Sequence, residues 1–159
     1  MLEDKAEMQL LILLVDDHPA VRRGLALVLE AESLGRCLEA ACCADALAIA
    51  RRESPDLALV DLSLKDEDSL ALVSDLRALG TPVLVCSLHE DPAHVKQALA
   101  AGARGYITKP EAPLGIARAV RAVLDGWLLV SPQATEGLDE ERRGRSRCVA
   151  EGDLPGRRG

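Results

Sequence analysis

Short apolar runs alternate along this chain with stretches in which apolar positions recur every three or four residues. The runs suit strands buried on both faces, and the periodic stretches suit amphipathic helices. The alternation therefore predicts repeated β-α units around a parallel sheet. Strands are expected at about 10–15, 37–40, 57–60, 83–86 and 104–107. The first helix takes Pro19 into its opening turn, turns Val21, Leu25, Val28 and Leu29 to one side, and stops at Gly35. An Ala-rich helix at about 45–53 is broken by Ser54-Pro55-Asp56. A third carries Leu70, Val73, Leu76 and Leu79 and stops at Gly80. Asp91-Pro92 is a capping start for a fourth, which runs through Ala101 and closes at Gly102. The fifth, at about 113–125, turns Ile116, Val120, Val123 and Leu124 inward. Five such units predict an α/β fold: a three-layer αβα sandwich on a five-stranded, doubly wound parallel sheet.

The pattern occupies residues 8–130, predicted to be one domain. From Ser131 the chain changes in kind: Asp139-Glu140-Glu141 runs into Arg142-Arg143-Gly144-Arg145-Ser146-Arg147, and apolar residues are sparse. Such a stretch buries too little surface to offset its ordering entropy, so 131–159 is predicted to be a disordered tail. Ala, Leu and Val supply most of the apolar residues; Phe is absent, and there is one Tyr and one Trp, so the core is expected to be aliphatic.

Charge narrows the choice of partners. The net charge of −7 sits wholly in residues 1–130, with 20 acids against 13 bases, while 131–159 carries six of each. An acidic domain is a poor nonspecific ligand for nucleic acid, so DNA binding by this chain alone is not expected. No apolar run approaches the roughly 20 residues of a membrane span. The acidic opening, Met1-Leu2-Glu3-Asp4-Lys5, lacks the basic flank of a secretory signal, and the expectation is a cytoplasmic protein without membrane contact. Five cysteines, at 37, 42, 43, 86 and 148, show no C-x-x-C spacing and read as small apolar residues of a reducing compartment.

Candidate chemistry lies at the strand ends. In an open parallel sheet, ligands bind beyond the carboxyl ends of the strands. Asp16-Asp17, Asp61, Ser87 and Lys109 all fall at or just past such ends. Three carboxylates together repel one another unless a cation joins them, and hard oxygen donors with room for water suit Mg2+. A carboxylate can accept a phosphoryl group as an acyl phosphate. A lysine would neutralise the phosphoryl oxygens and a serine hydrogen-bond one of them. Singly, each has a plainer explanation: Asp16 and Asp17 could cap a helix, Asp61 could be a loop acid, and Lys109-Pro110 a solvated turn. Together, after these strands and in this order, they point to a metal-assisted phosphate site. No glycine-rich loop follows the first strand, which excludes a dinucleotide fingerprint and a P-loop. His18, His89 and His94 lack the spacing of a recognised metal motif and read as surface or loop residues.

Four segments carry a resemblance: L-L-V-D-D-H-P-A-V-R-R-G-L at 13–25, P-D-L-A-L-V-D-L-S-L at 55–64, T-P-V-L-V-C-S at 81–87 and A-L-A-A-G-A-R-G-Y-I-T-K-P at 98–110. Over about 8–130 the chain resembles the receiver domain of bacterial two-component response regulators, with D-D-H-P and A-G-A-R-G-Y most similar to the NarL/FixJ-type subfamily. The resemblance implies a flavodoxin-like sheet and makes Asp61 the phosphoacceptor. It implies that Asp17, Asp61 and the backbone carbonyl of Ser63 hold Mg2+, with Asp16 acting largely through water. It gives Ser87 and Lys109 to the phosphoryl group and makes Tyr106 the switch aromatic; read from the residues alone, Tyr106 is a half-buried edge-strand side chain. It implies a sensor histidine kinase as phosphodonor. A downstream protein, or a second copy, would be reached through the face of the fourth helix, fifth strand and fifth helix.

The chain departs from the family at Lys65-Asp66 and Ser69, where Pro-Gly and Gly are usual, and at Leu88, where a small residue is usual. Leu88 is expected to narrow access and so slow phosphorylation by small donors. The subfamily usually continues into a helix-turn-helix domain, whereas 29 residues follow position 130. A transcriptional regulator truncated before its DNA-binding domain, and a degenerate receiver acting by protein binding alone, are therefore alternatives to a stand-alone phosphorylated switch. As a phosphorylated switch the chain would assist its own aspartyl phosphorylation and dephosphorylation without being a turnover enzyme. An aspartyl-phosphate phosphatase is disfavoured, because Ser63 stands where the second acid of D-x-D would act.

Overall fold

The computed structural model describes residues 9–65 and 67–130. The tail predicted for 131–159 lies outside these residues, as does Asp66. Six strands form the sheet: β1 (Leu10–Val15), β2 (Gly35–Ala40), β3 (Leu57–Val60), β4 (Val83–Ser87), β5 (Gly105–Thr108) and β6 (Leu129–Val130). Their spatial order is β2-β1-β3-β4-β5-β6, and every pairing is parallel. Five helices connect them: α1 (Pro19–Ala31), α2 (Cys43–Glu53), α3 (Ser69–Ala78), α4 (Pro92–Ala101) and α5 (Ala112–Leu124), with a 3-10 turn at Lys109–Glu111 before α5.

Strand alternation sorts the core into two halves. Leu13, Val15, Ala58, Val60, Val83, Val85 and Tyr106 pack on Ala46, Ala50, Leu72, Val73, Leu76, Val95 and Ala98 of α2, α3 and α4. The intervening residues Ile12, Leu14, Leu57, Leu59, Leu84, Cys86 and Ile107 face Leu25, Leu29, Ile116, Val120 and Val123 of α1 and α5. Both faces of the sheet are covered, which is why its strands read as unbroken apolar runs. Each buried Leu, Ile or Val among them contributes roughly 1.5–3 kcal/mol of transfer free energy, so the sheet is a stable platform for whatever its edge carries.

Several expectations need correction. The sheet has six strands, not five. β6 is two residues long, too short for any period, and it pairs Leu129 with Gly105 and Val130 with Tyr106. Tyr106 is consequently not at an edge but wholly buried. Gly35 does not stop α1, which ends at Ala31; it lies in β2, where a Cβ would run into the Leu10 carbonyl of the neighbouring strand. In α3 it is Leu72, with Val73 and Leu76, that packs inward, while Leu79 and, in α1, Val21 are exposed.

Candidate functional site

The strand order reverses between β1 and β3, so their connections diverge and open a cleft at the carboxyl edge of the sheet. Val15 pairs with Val60, and the two strands deliver Asp16 and Asp61 side by side into it. Both are buried, Asp61 with 2% of its surface exposed. Register then aligns Ser87 of β4 with Thr108 of β5, and Lys109 follows immediately. Lys109 Nζ donates to Asp16 Oδ2 at 2.9 Å and to Asp61 Oδ2 at 3.2 Å. The structure thus brings together Asp16, Asp17, Asp61 and Lys109 as the sequence predicts, and puts Ser87 at the end of the adjacent strand. Neither Asp16 nor Asp17 caps α1, whose N-cap is His18 without a side-chain bond.

Local geometry fixes each carboxylate. Asp61 Oδ1 accepts the backbone N–H of Ser63 at 3.0 Å, which bends the chain over the site. Asp17 Oδ2 accepts the N–H of Lys65 at 3.0 Å, tying this same β3–α3 connection to the β1–α1 turn. Asp16 Oδ1 accepts the N–H of His18 at 2.8 Å. Thr108 and Glu111 brace the lysine: Glu111 Oε1 accepts from both the N–H and the hydroxyl of Thr108, at 3.1 and 2.6 Å. At α3, Asp68 caps the helix by accepting the N–H of Ala71.

The electrostatics are unbalanced. Burial pushes the Asp61 carboxyl above its ordinary range; the Ser63 N–H and the Lys109 charge pull against that, and Asp16 adds to it. Asp17 is held below its ordinary value, chiefly by the Lys65 N–H. Lys109 stands above the ordinary lysine value: burial opposes its charge, but the bonds and charges of Asp16 and Asp61 outweigh burial. The Lys109 ammonium is bonded to two of the three carboxylates in the cleft. Asp17 Oδ1 is also buried without a hydrogen-bond partner among the described residues. A buried carboxylate oxygen with no hydrogen bond, within an oxygen-rich cluster, is what a hard divalent cation satisfies, so these residues fit Mg2+.

Sequence reasoning missed two members. His18, read as a loop residue, belongs to the cluster: its Nδ1 lies 3.1 Å from both Asp16 Oδ1 and Asp17 Oδ1, and the ligand atoms of Asp16, Asp17, His18 and Asp61 lie within 4.8 Å of one another. Arg22 was not singled out either. Its guanidinium donates to the Asp16 carbonyl at 2.6 Å and to Glu39 Oε1 at 2.8 Å, buttressing the turn from behind. A basic residue in the opening turn of the helix that follows a strand-end carboxylate was the available signal. Ser87 Oγ accepts the His89 N–H at 3.1 Å, and Tyr106 donates its hydroxyl to the His89 carbonyl at 2.7 Å. Leu88, expected to narrow the entrance, keeps 62% of its surface exposed. The thiols of Cys37, Cys43 and Cys86 are pushed up to about 12, in each case chiefly by burial, which agrees with their assignment as inert.

The response regulator receiver domain profile matches residues 12–121. The probable transcriptional regulatory protein NarL of Mycobacterium tuberculosis is 36% identical over 138 residues, covering 85% of this chain and 64% of NarL. The transcriptional regulatory protein UhpA of Salmonella typhimurium is 35% identical over 145 residues, covering 88% of this chain and 74% of UhpA. The chain thus spans just under two thirds of the NarL relative's length. A two-component response regulator of the LuxR family from Aurantimonas sp. SI85-9A1 superposes with a TM-score of 0.79 at 31% identity, covering 84% of this chain and 98% of that one.

Proposed function

This chain belongs to the response regulator receiver domain family, of the NarL and LuxR kind, and from that premise we propose that Asp61 is the phosphoacceptor of its signalling switch. The observation that carries the reading is Lys109 Nζ bonded at once to Asp16 and Asp61 at the carboxyl edge of the sheet. A buried carboxylate with an ammonium beside it combines a nucleophile with the charge that an incoming phosphoryl group needs.

The chain's own residues divide the work. The Ser63 N–H fixes the Asp61 carboxylate in place. One Asp61 oxygen bonds to the phosphorus of a phosphohistidine on a sensor histidine kinase; the phosphorus–nitrogen bond breaks, and the ring nitrogen leaves with its electron pair. Lys109 then turns its charge to the new phosphoryl oxygens, and the Ser87 hydroxyl donates to one of them. Asp17, Asp61 and the Ser63 carbonyl would hold Mg2+, with Asp16 acting largely through water. The cation would neutralise carboxylates and phosphoryl oxygens that otherwise repel. The chain assists its own modification and does not turn over a substrate.

Phosphorylation adds nearly two negative charges next to Ser87. Ser87 and Tyr106 are both bonded to the backbone of His89, so movement of Ser87 is passed to Tyr106 and to the face made by α4, β5 and α5. That face would meet a downstream protein or a second copy. No helix among the described residues is long and apolar enough to cross a membrane, and work in the cytoplasm, without DNA binding by this chain alone, completes the reading. The test is incubation with Mg2+ and a small acyl-phosphate donor, followed by intact mass. One added phosphoryl group, absent without the metal and absent in Asp61→Asn, is expected; an unmodified parent, or a modified Asp61→Asn, would overturn the assignment.

A further inference from the structure

Outside the carboxylate cleft, the described residues hold a second set of metal-ligating side chains, His89, Asp91 and His94, whose ligand atoms lie within 4.8 Å of one another. It stands where β4 passes into α4. Two of its features are unexpected for a surface turn. Asp91 is the N-cap of α4, yet its side chain makes no capping bond. Both its oxygens instead lie against His94 Nδ1, at 2.8 and 2.7 Å. His89 and His94 stack face to face, with ring centroids 3.9 Å apart and planes within 3°.

We propose that His89, Asp91 and His94 form a binding site for a borderline divalent transition metal of the Zn2+ class. Two imidazoles and a carboxylate are a donor set of that class, leaving a fourth position for water. They are too few and too nitrogen-rich for Mg2+, which prefers oxygen. In a tetrahedral zinc site with bonds of about 2.0–2.1 Å, donor atoms stand about 3.4 Å apart. The ligand atoms, now within 4.8 Å of one another with His94 Nδ1 and Asp91 Oδ2 at 2.7 Å, must therefore readjust, and the rings splay from their stack to aim their lone pairs at one point. His89 and Asp91 are exposed and His94 is half-buried, so side-chain rotation alone can do this. The amino end of α4 disfavours a cation; the carboxylates of Asp91 and the adjacent Glu90 offset it.

The position gives the metal a consequence. The His89 backbone is the shared partner of Ser87 and Tyr106. A metal gripping the His89 side chain and the first turn of α4 staples the segment through which the proposed switch must move. The site itself does not depend on the role proposed for Asp61, and its test is independent of phosphorylation.

The full chain is titrated with Zn2+ by calorimetry in excess Mg2+, which fills the oxygen-rich cleft, alongside His89→Ala, His94→Ala, Asp91→Asn and Asp61→Asn. Loss of a hydrogen-bond partner behind a metal ligand alone costs roughly tenfold in affinity or more, so removing either direct imidazole ligand is expected to weaken one equivalent of Zn2+ by at least about that factor. Asp91→Asn weakens the same equivalent, and Asp61→Asn retains it. Amide exchange at 88–94 is expected to slow on Zn2+ addition in the parent but not in His94→Ala. Identical Zn2+ isotherms for the parent, His89→Ala and His94→Ala would overturn the proposal, as would loss of the equivalent in Asp61→Asn.

Discussion

Replacing Asp61 by Asn should make the metal-free protein more stable, because this carboxylate is held in an environment that disfavours its charge. Its neighbours set the magnitude. The carboxylates of Asp16 and Asp17 have oxygens within 4.8 Å of it, and at an effective dielectric near 20 each such pair costs about 3–4 kcal/mol. Lys109, 3.2 Å away, returns about 5 kcal/mol on the same scale. The balance is a penalty of about 2 kcal/mol, before burial adds to it. Asparagine removes the charge while keeping an oxygen for the Ser63 N–H, but it weakens the Lys109 bond. A net gain of about 1–2 kcal/mol follows, or about 3–8 °C in Tm for a domain of this size. The pH dependence has a definite sign. A raised native pKa means the native state holds a proton that the unfolded state has released. Stability therefore falls as pH rises through the window above the unfolded Asp value, and the penalty is complete above the native one. Thermal melts in chelator should show the variant above the parent at neutral pH, with the gap closing as pH falls through that window. A variant that melts lower than the parent at neutral pH refutes the reasoning.

Other outcomes follow from the same geometry. Lys109→Met leaves Asp16 and Asp61 buried without their ammonium and should destabilise the metal-free chain by about 3 kcal/mol; chemical denaturation reads this, and phosphoryl uptake should collapse with it. Arg22→Ala removes two bonds that hold the Asp16 turn to Glu39 and should cost about 1.5–3 kcal/mol, with a parallel loss of Mg2+ affinity by calorimetry. Gly35→Ala drives a Cβ into the Leu10 carbonyl and should lower stability by about 1–3 kcal/mol, seen in the urea midpoint. Tyr106→Phe keeps the buried ring but frees the His89 carbonyl; a loss of about 1 kcal/mol is expected, with faster amide exchange at 88–91.

Much of the fold was legible because the sheet is covered on both faces: every residue of β3, and most of β1 and β4, had to be apolar, and the runs announced themselves. The site was legible for a related reason, since a strand buried end to end makes the first charged residue after it conspicuous. What sequence could not show depended on neighbours far along the chain. β6 is too short to have a pattern and exists because Gly105 and Tyr106 present a free edge. Gly35 resembles a helix stop until the closeness of Leu10 is seen. Leu79 has the spacing of an inward residue but falls past the last turn of α3, where Leu72 takes the core position instead. The pairing of His89 with His94 was invisible because it joins a loop to a helix, and no helical spacing describes it.

The central claim is that this particular aspartate takes the phosphoryl group, and chemical trapping reads it at single-residue resolution. Borohydride reduction of the chain after exposure to Mg2+ and an acyl-phosphate donor, followed by peptide mapping, should convert Asp61 to homoserine and leave Asp16 and Asp17 as aspartate. Homoserine at another position, or none in a sample whose intact mass shows a phosphoryl group, would contradict the account.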